Sequence, residues 1–187
     1  MKGKCGKIAR IYTSRAPRDE LTLVFNTFDE ALEYAKDTRK SLLTIALELE
    51  SKLQGSSEKE IFATMTELWN IMKESVQEGL ANSERSQMGL SGGDSTKLRA
   101  YLERQKFTSF HALASLYALA SAETNAHMGR IVACPTAGAC GIIPGVLLAW
   151  YELLAKEGKD PKELERKIVE ALLVAAFIGM IFYDDIP

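Results

Sequence analysis

The 187-residue sequence is poor in cysteine, histidine and proline, with three, two and five of them. Its cysteines, Cys5, Cys134 and Cys140, are too few and too unevenly spaced to form a disulfide framework. The amino terminus does not combine a basic start, an apolar stretch and a cleavage site, so the sequence predicts no secretory signal. We therefore expect a protein of the cytoplasm.

The sequence also lacks an excess of charge of one sign and a long apolar run. The 23 basic and 25 acidic residues give a formal net charge of −2, which creates no long-range field that would attract a polyanion. The longest apolar run, residues 171–183, is shorter than the roughly 20 residues that span a bilayer, and it predicts a buried helix. We therefore expect neither a nucleic-acid partner nor a membrane partner.

The residues that are present have the composition of a globular protein. Hydrophobic residues make up 47% and charged residues 26% of the chain. Residues 1–25 contain only short alternating stretches, typical of weak strands or an irregular segment. We predict a mainly α fold, with a short irregular or strand-like arm over residues 1–26 and a multi-helix domain with glycine-rich, site-bearing loops over residues 27–187.

The first helical pattern begins at Thr27. Apolar residues recur every three or four positions from Phe28 to Leu53, and Thr27 with Glu30 has the spacing of a capping box. Gly55 then interrupts the pattern. We predict one long amphipathic helix over this stretch.

A second helix and a polar loop follow. Ser57 and Glu60 repeat the capping spacing, and an apolar stripe continues to near Gly79. From Glu84 to Leu98 the chain is polar and carries glycines without helical periodicity. We predict a loop over residues 84–98.

The remaining sequence predicts three helices around a second loop. The small residues of 111–126 favour a central helix with closely packed neighbours. Residues 130–144 contain two prolines, which favours a structured loop, and a helix should start at Gly141 or Pro144 and end near Gly158. Asp160 and Pro161 have the pattern of an N-cap and first helical residue, which opens a last helix.

The second loop delivers Cys140 to a helix amino terminus. Unpaired N–H groups and the helix dipole favour anions there, and this setting predicts a lowered thiol pKa and a thiolate that can bind metal. The alternative is that Cys140 is a small packed residue, as a lone cysteine in a glycine-rich turn often is. The spacing of the residues does not decide between the two.

The same region resembles a known family. Residues 123–145, ETNAHMGRIVACPTAGACGIIPG, resemble the signature block of iron–sulfur L-serine dehydratases. Upstream, residues 89–94, GLSGGD, are similar to the second glycine-rich element of that family and stand at about the expected distance. The resemblance covers about residues 27–187 and leaves residues 1–25 unexplained.

The resemblance implies an enzyme that converts L-serine to pyruvate and ammonia without pyridoxal phosphate. In such enzymes three cysteines of the α part hold a [4Fe–4S] cluster whose open iron acts as a Lewis acid, and Cys140 occupies the first ligand position. The resemblance also implies a β chain or domain as partner and a homo- or hetero-oligomer. The residues expected to bind L-serine are Ser91, Gly92, Gly93, Asp94, Asn125, Thr136, Ala137 and Gly138.

The sequence departs from the family in its cysteines. The other two α-part ligands lie downstream of the last residue here, and neither Cys134 nor Cys5 matches a ligand position. Cys134 ends a short apolar stretch, so we expect it to be buried. We therefore expect a carboxy-terminally truncated α chain whose cluster is absent or incomplete.

Four other interpretations stay open. His127 is a candidate base beside the signature loop, although a local or solvated role is the alternative. Asp184 and Asp185 with Glu152 are candidate metal ligands or simply solvated acids. Lys97 is a candidate Schiff-base lysine for a pyridoxal-phosphate lyase. Finally, the chain is a candidate for a catalytically silent helical scaffold or assembly fragment.

Overall fold

A computed structural model describes residue 25 and residues 27–86, 89, 91–134 and 136–184. The regular elements of these residues are helical, which confirms the prediction of a mainly α fold. The predicted arm over residues 1–26 lies outside the described residues except for Phe25. The α-helices are α1 (Phe28–Thr38), α2 (Leu42–Gln54), α3 (Glu58–Ala81), α4 (Asp94–Gln105), α5 (Phe110–Ala126), α6 (Ile142–Lys156) and α7 (Pro161–Asp184), and Ala137–Ala139 form one turn of 3-10 helix.

The prediction of one long helix from Thr27 to Leu53 is wrong, because the chain breaks between α1 and α2. Arg39 has φ 55°, in the left-handed region, and its N–H caps the end of α1. The Ser41 hydroxyl then accepts from the N–H of Thr44 at 3.1 Å and starts α2. A side-chain cap and a left-handed residue thus outweigh a continuous apolar pattern.

Helix starts that carry capping signals lie where the sequence predicts them. Ser57 Oγ accepts from Glu60 N at 3.4 Å, and the Glu60 carboxylate accepts from Ser57 N at 2.8 Å. At the start of α7, Asp160 Oδ1 accepts from Lys162 N at 3.1 Å. These contacts confirm the capping box at Ser57 and the N-cap at Asp160.

The predicted loop over residues 84–98 ends earlier than expected, because α4 begins at Asp94. Gly93 is the N-cap residue, with φ 76° and no side-chain cap. Gly92 has φ 120°, and a Cβ there would lie 2.2 Å from the carbonyl oxygen of Glu84. Both positions therefore need glycine.

The residues form two compact units, and the first comprises Leu68–Glu165. Here α5 packs against α6 and α4, around a core that includes Val76, Leu116 and Ala120. The backbones of α5 and α6 come very close, since a Cβ at Gly141 would lie 2.2 Å from the carbonyl oxygen of Ala118. The prediction of a central, closely packed helix is confirmed.

The second unit comprises the described residues up to Glu67 and those from Arg166 onward. Its core is formed by Ala31, Ile45, Ala46, Leu49, Leu53, Phe177 and Ile181. The apolar run of residues 171–183 is helical as predicted, but it is buried along one face only: Phe177 is 3% exposed and Phe182 is 58% exposed.

One helical stretch of the described residues, Ala137–Lys156, is long and apolar enough to cross a membrane by length and composition alone. Two of its side chains, Ile142 and Val146, are exposed. The expectation of no membrane partner therefore stays a prediction.

Candidate functional site

The last turn of α5 holds the start of α4 through Glu123. This carboxylate is buried, with 3% of the residue exposed. Its Oε1 accepts from Asp94 N at 2.7 Å and from Ser95 N at 3.3 Å, and its Oε2 accepts from the Ser95 hydroxyl. The carboxyl oxygens thus sit at the positive end of α4, where unpaired N–H groups need acceptors.

The glycine-rich loop that precedes α4 also contacts the last turn of α5. The ring of His127 places Nδ1 2.7 Å from the carbonyl oxygen of Glu123 and Nε2 3.1 Å from that of Glu84. Within the loop, Ser86 N donates to the carbonyl oxygen of Ser91 at 2.7 Å. Both ring nitrogens of His127 therefore contact backbone, which agrees with the local role weighed from the sequence.

The second loop meets α5 at Asn125. Its amide Nδ2 donates to the carbonyl oxygen of Ala137 at 3.1 Å. Thr136 Oγ1 accepts from Ala139 N at 3.3 Å and caps the 3-10 turn. Gly138 is exposed, and a Cβ there would meet only Thr136 Oγ1, at 3.8 Å. The last turn of α5 thus holds both loops that the sequence singles out.

Cys140 follows the second loop and lies in the core, with 1% of the residue exposed. Its Sγ lies 3.9 Å from the carbonyl oxygen of Ser121, whose hydroxyl lies 3.0 Å from that of Ser75. Burial raises the pKa of the Cys140 thiol, although the hydrogen bond with Ser121 opposes the rise. The expected lowering of this pKa is therefore wrong, because loss of hydration outweighs the helix end.

Cys134 is buried as predicted, and burial, with the nearby Cys140, raises its thiol pKa to about 11. Its Sγ donates to the carbonyl oxygen of Val132 at 3.6 Å. Among the described residues, no group of three or more His, Cys, Asp or Glu side chains is placed to hold a metal ion. The described part of the chain therefore does not supply three thiolates for a cluster.

Asp94, Lys97 and Glu152, which the sequence also offers as candidate site residues, form ion pairs or hydrogen bonds with nearby side chains. The Asp94 carboxylate lies 2.9 Å from Lys97 Nζ, both side chains are exposed, and the hydrogen bond lowers the pKa of Asp94. Glu152 pairs with Tyr117 and Lys156. Asp185 lies outside the described residues.

Sequence reasoning missed Glu123 and Ser95. Ser95 is fully buried and bonds both to Glu123 and to the carbonyl oxygen of Gly79, at 3.0 Å. The sequence did offer one signal for Glu123, since it is the single acidic residue of an alanine-rich helix that was predicted to be central. A carboxylate buried at such a position needs hydrogen-bond donors from neighbouring segments. The roles of the predicted substrate residues remain predictions.

Comparisons with known proteins point to one family. A family model described as "Serine dehydratase alpha chain" matches residues 37–187. The "Probable L-serine dehydratase, alpha chain" of Bacillus subtilis (strain 168) is 35% identical over 133 residues, which cover 70% of this chain and 44% of the relative.

Two further relatives carry related names. The "L-serine dehydratase" of Streptomyces coelicolor is 37% identical over 168 residues, covering 86% of this chain and 34% of the relative. The "L-serine dehydratase TdcG" of Escherichia coli (strain K12) is 32% identical over 175 residues, covering 88% of this chain and 36% of the relative. The chain thus spans 34% to 44% of the length of these three relatives.

Proposed function

The chain belongs to the serine dehydratase alpha chain family, and from this premise we propose that it forms part of an L-serine ammonia-lyase, which converts L-serine to pyruvate and ammonia. The names of the Bacillus, Streptomyces and Escherichia relatives support this substrate and reaction. The term alpha chain in the family description supports a β chain or domain as partner.

One observation carries the proposal: the last turn of α5 is bonded to both predicted substrate loops. Glu123 accepts from Asp94 N in the first loop region, and Asn125 donates to the carbonyl oxygen of Ala137 in the second. A ligand as small as serine needs groups from more than one segment to fix its carboxylate, ammonium and hydroxyl. A common anchor for the two loops favours such a shared site.

The proposal includes a [4Fe–4S] cluster with Cys140 as one ligand, but the described residues do not fit the cluster by themselves. The Cys140 thiol is buried against Ser121, and no described cluster of candidate ligands surrounds it. Further ligands must therefore come from outside the described residues. This chain contributes the loops, the helix end at α6 and the positioning of Cys140.

A silent helical scaffold is the competing function, and a chimera separates the two. Residues 37–187 replace the matching segment of the Bacillus subtilis relative, and pyruvate formation from L-serine is measured with a β chain present. The proposal predicts activity above that of an empty-vector preparation and its loss with Cys140→Ser. A folded chimera that forms no pyruvate would favour the scaffold.

A further inference from the structure

We propose that Glu123 is a positioning residue for the substrate loop, an inference that rests on the proposed function. The Glu123 carboxylate fixes the backbone of residues 92–95, and the fixed backbone sets the affinity for L-serine. Glu123 itself does not contact the substrate, because its oxygen atoms are taken up by α4.

The amino-terminal cap of α4 does not come from its own N-cap residue. Its N-cap residue, Gly93, provides no side-chain acceptor. The acceptor comes instead from Glu123, on another helix and 29 residues along the chain from Asp94. Two successive backbone N–H groups and the Ser95 hydroxyl converge on this one carboxylate. Charge-assisted hydrogen bonds of this kind are the strong ones, and they fix direction as well as distance.

The loop is held from both sides. On one side, Gly92 and Gly93 lie against the backbone of Glu84 and Ser83, where a Cβ would be 2.2 and 2.7 Å from the carbonyl oxygens. On the other side, Glu123 holds the residues that follow. A change at the carboxylate therefore acts on a segment whose glycines pack closely against the backbone of residues 83 and 84.

His127 strengthens the same attachment. Its ring lies between the carbonyl oxygens of Glu123 and Glu84, with one ring nitrogen 2.7 Å from the first and the other 3.1 Å from the second, so the end of α5 contacts the loop near its beginning as well as at its end. Glu123 contributes to both attachments, through its side chain and through its backbone oxygen.

The occupied amino-terminal end of α4 also limits how the substrate can bind. The carboxylate of serine cannot use the amino-terminal N–H groups of α4 without displacing Glu123, since Asp94 N and Ser95 N already donate to it. Two carboxylates at one helix end would also repel each other. Within the proposed site, the serine carboxylate is therefore directed away from α4 and toward the loop that contains Thr136.

Hydrogen exchange on the 187-residue chain tests the positioning without any need for activity. Glu123→Gln keeps the size but brings an amide NH₂ against N–H donors, and Glu123→Asp keeps the charge on a shorter side chain. We expect Glu123→Gln to speed exchange of the amides of residues 92–96 at least about tenfold, with Glu123→Asp intermediate, because hydrogen bonds to a charged group are lost. Glu152→Gln, a partly buried carboxylate elsewhere on the first unit, should leave these amides unchanged.

The chimera supplies the second readout. Glu123→Gln should raise KM for L-serine more than it lowers kcat, and Glu123→Asp should restore part of the affinity, whereas a merely structural role would lower the amount of active enzyme at unchanged KM. Unchanged exchange at residues 92–96, or faster exchange throughout α5 and α6, would overturn the proposal. If the unsubstituted chimera forms no pyruvate, the proposed function fails, while the exchange data still decide whether Glu123 holds the loop.

Discussion

The Sγ atom of Cys140 lies 3.9 Å from the backbone carbonyl oxygen of Ser121, inside the first unit. The residue that the family resemblance assigns to a metal is thus, in this arrangement, a buried thiol whose pKa is raised by its burial. The Ser121 hydroxyl in turn lies 3.0 Å from the Ser75 hydroxyl, so Cys140 contacts a buried pair of polar residues in the core. To serve as a metal ligand, Cys140 would have to bind as a thiolate, because metal-ligating cysteines are deprotonated.

Buried thiols should react slowly with alkylating agents. Burial raises the pKa of both Cys134 and Cys140, so the thiolate fraction of each at pH 8 is below that of an exposed cysteine. We expect iodoacetamide to label both residues much more slowly in the native chain than in urea, with rates that rise as pH increases. Peptide mass spectrometry reads the two sites separately, and rapid native labelling of Cys140 would contradict its burial.

The two buried cysteines should differ in iron retention. In the chimera, Cys140→Ser should abolish retention of iron and sulfide, since a hydroxyl is a poor ligand for iron–sulfur clusters, and Cys134→Ser should retain most of both. The 187-residue chain reconstituted with iron and sulfide should hold no stable cluster. Iron and sulfide analysis with visible absorption checks this, and equal loss in both variants would show that the ligand assignment is wrong.

Gly141 and Gly138 should respond very differently to alanine. A Cβ at Gly141 would lie 2.2 Å from the carbonyl oxygen of Ala118, so Gly141→Ala should lower the free energy of unfolding by about 1–3 kcal/mol or more. A Cβ at Gly138 meets only one atom, at 3.8 Å, so Gly138→Ala should change the free energy of unfolding by less than about 0.5 kcal/mol. Urea unfolding measures both values.

The Gly138 variant also separates stability from substrate binding. If Gly138 approaches L-serine as predicted, Gly138→Ala in the chimera should raise KM for L-serine although the fold is unaffected. An unchanged KM would remove Gly138 from the predicted substrate residues.

The contribution of Glu152 to stability should depend on pH. Burial favours a higher pKa, but hydrogen bonds from Lys156 and Tyr117 outweigh it, so the pKa of Glu152 is lowered in the folded chain. A lowered folded pKa means that the stabilisation is complete above the unfolded value of about 4.3 and is lost as pH falls through the folded value.

We therefore expect Glu152→Gln to be less stable than the unsubstituted chain at pH 7, by no more than about 1 kcal/mol because the pair is partly exposed. The difference should shrink below about pH 4. Urea unfolding across this pH range measures it, and a difference that grows on acidification would contradict the assigned direction.

Local signals in the sequence predicted much of the fold. Ser57, Glu60 and Asp160 act on backbone groups within three residues, so their spacing alone is informative. The break at Arg39 was missed because Leu42 follows Ala35 by seven residues, which preserves the apolar rhythm across the interruption. Ser41 is a residue type that favours N-caps, but the continuous apolar pattern led to the prediction of a single helix.

The sequence could not predict the start of α4 or the state of Cys140. The α4 cap comes from Glu123, and a contact between residues 29 positions apart leaves no local pattern. For Cys140 the sequence indicates a helix end, but the thiol pKa depends on how deeply the sulfur is buried, and that depth is decided by the packing of the fold. The family resemblance located both loops, and the shared anchor on α5 emerged from the fold.

The cap that Glu123 provides also bears on the order in which the protein forms during synthesis. The start of α4 is synthesised before Glu123, which is added 29 residues later, so at about 5–20 residues per second a few seconds separate the two. A short, polar helix without its cap is marginal in water, because its nucleation is costly. We therefore expect α4 to become persistent only after α5 has folded against it, so that the substrate loop is among the last parts of the first unit to take shape.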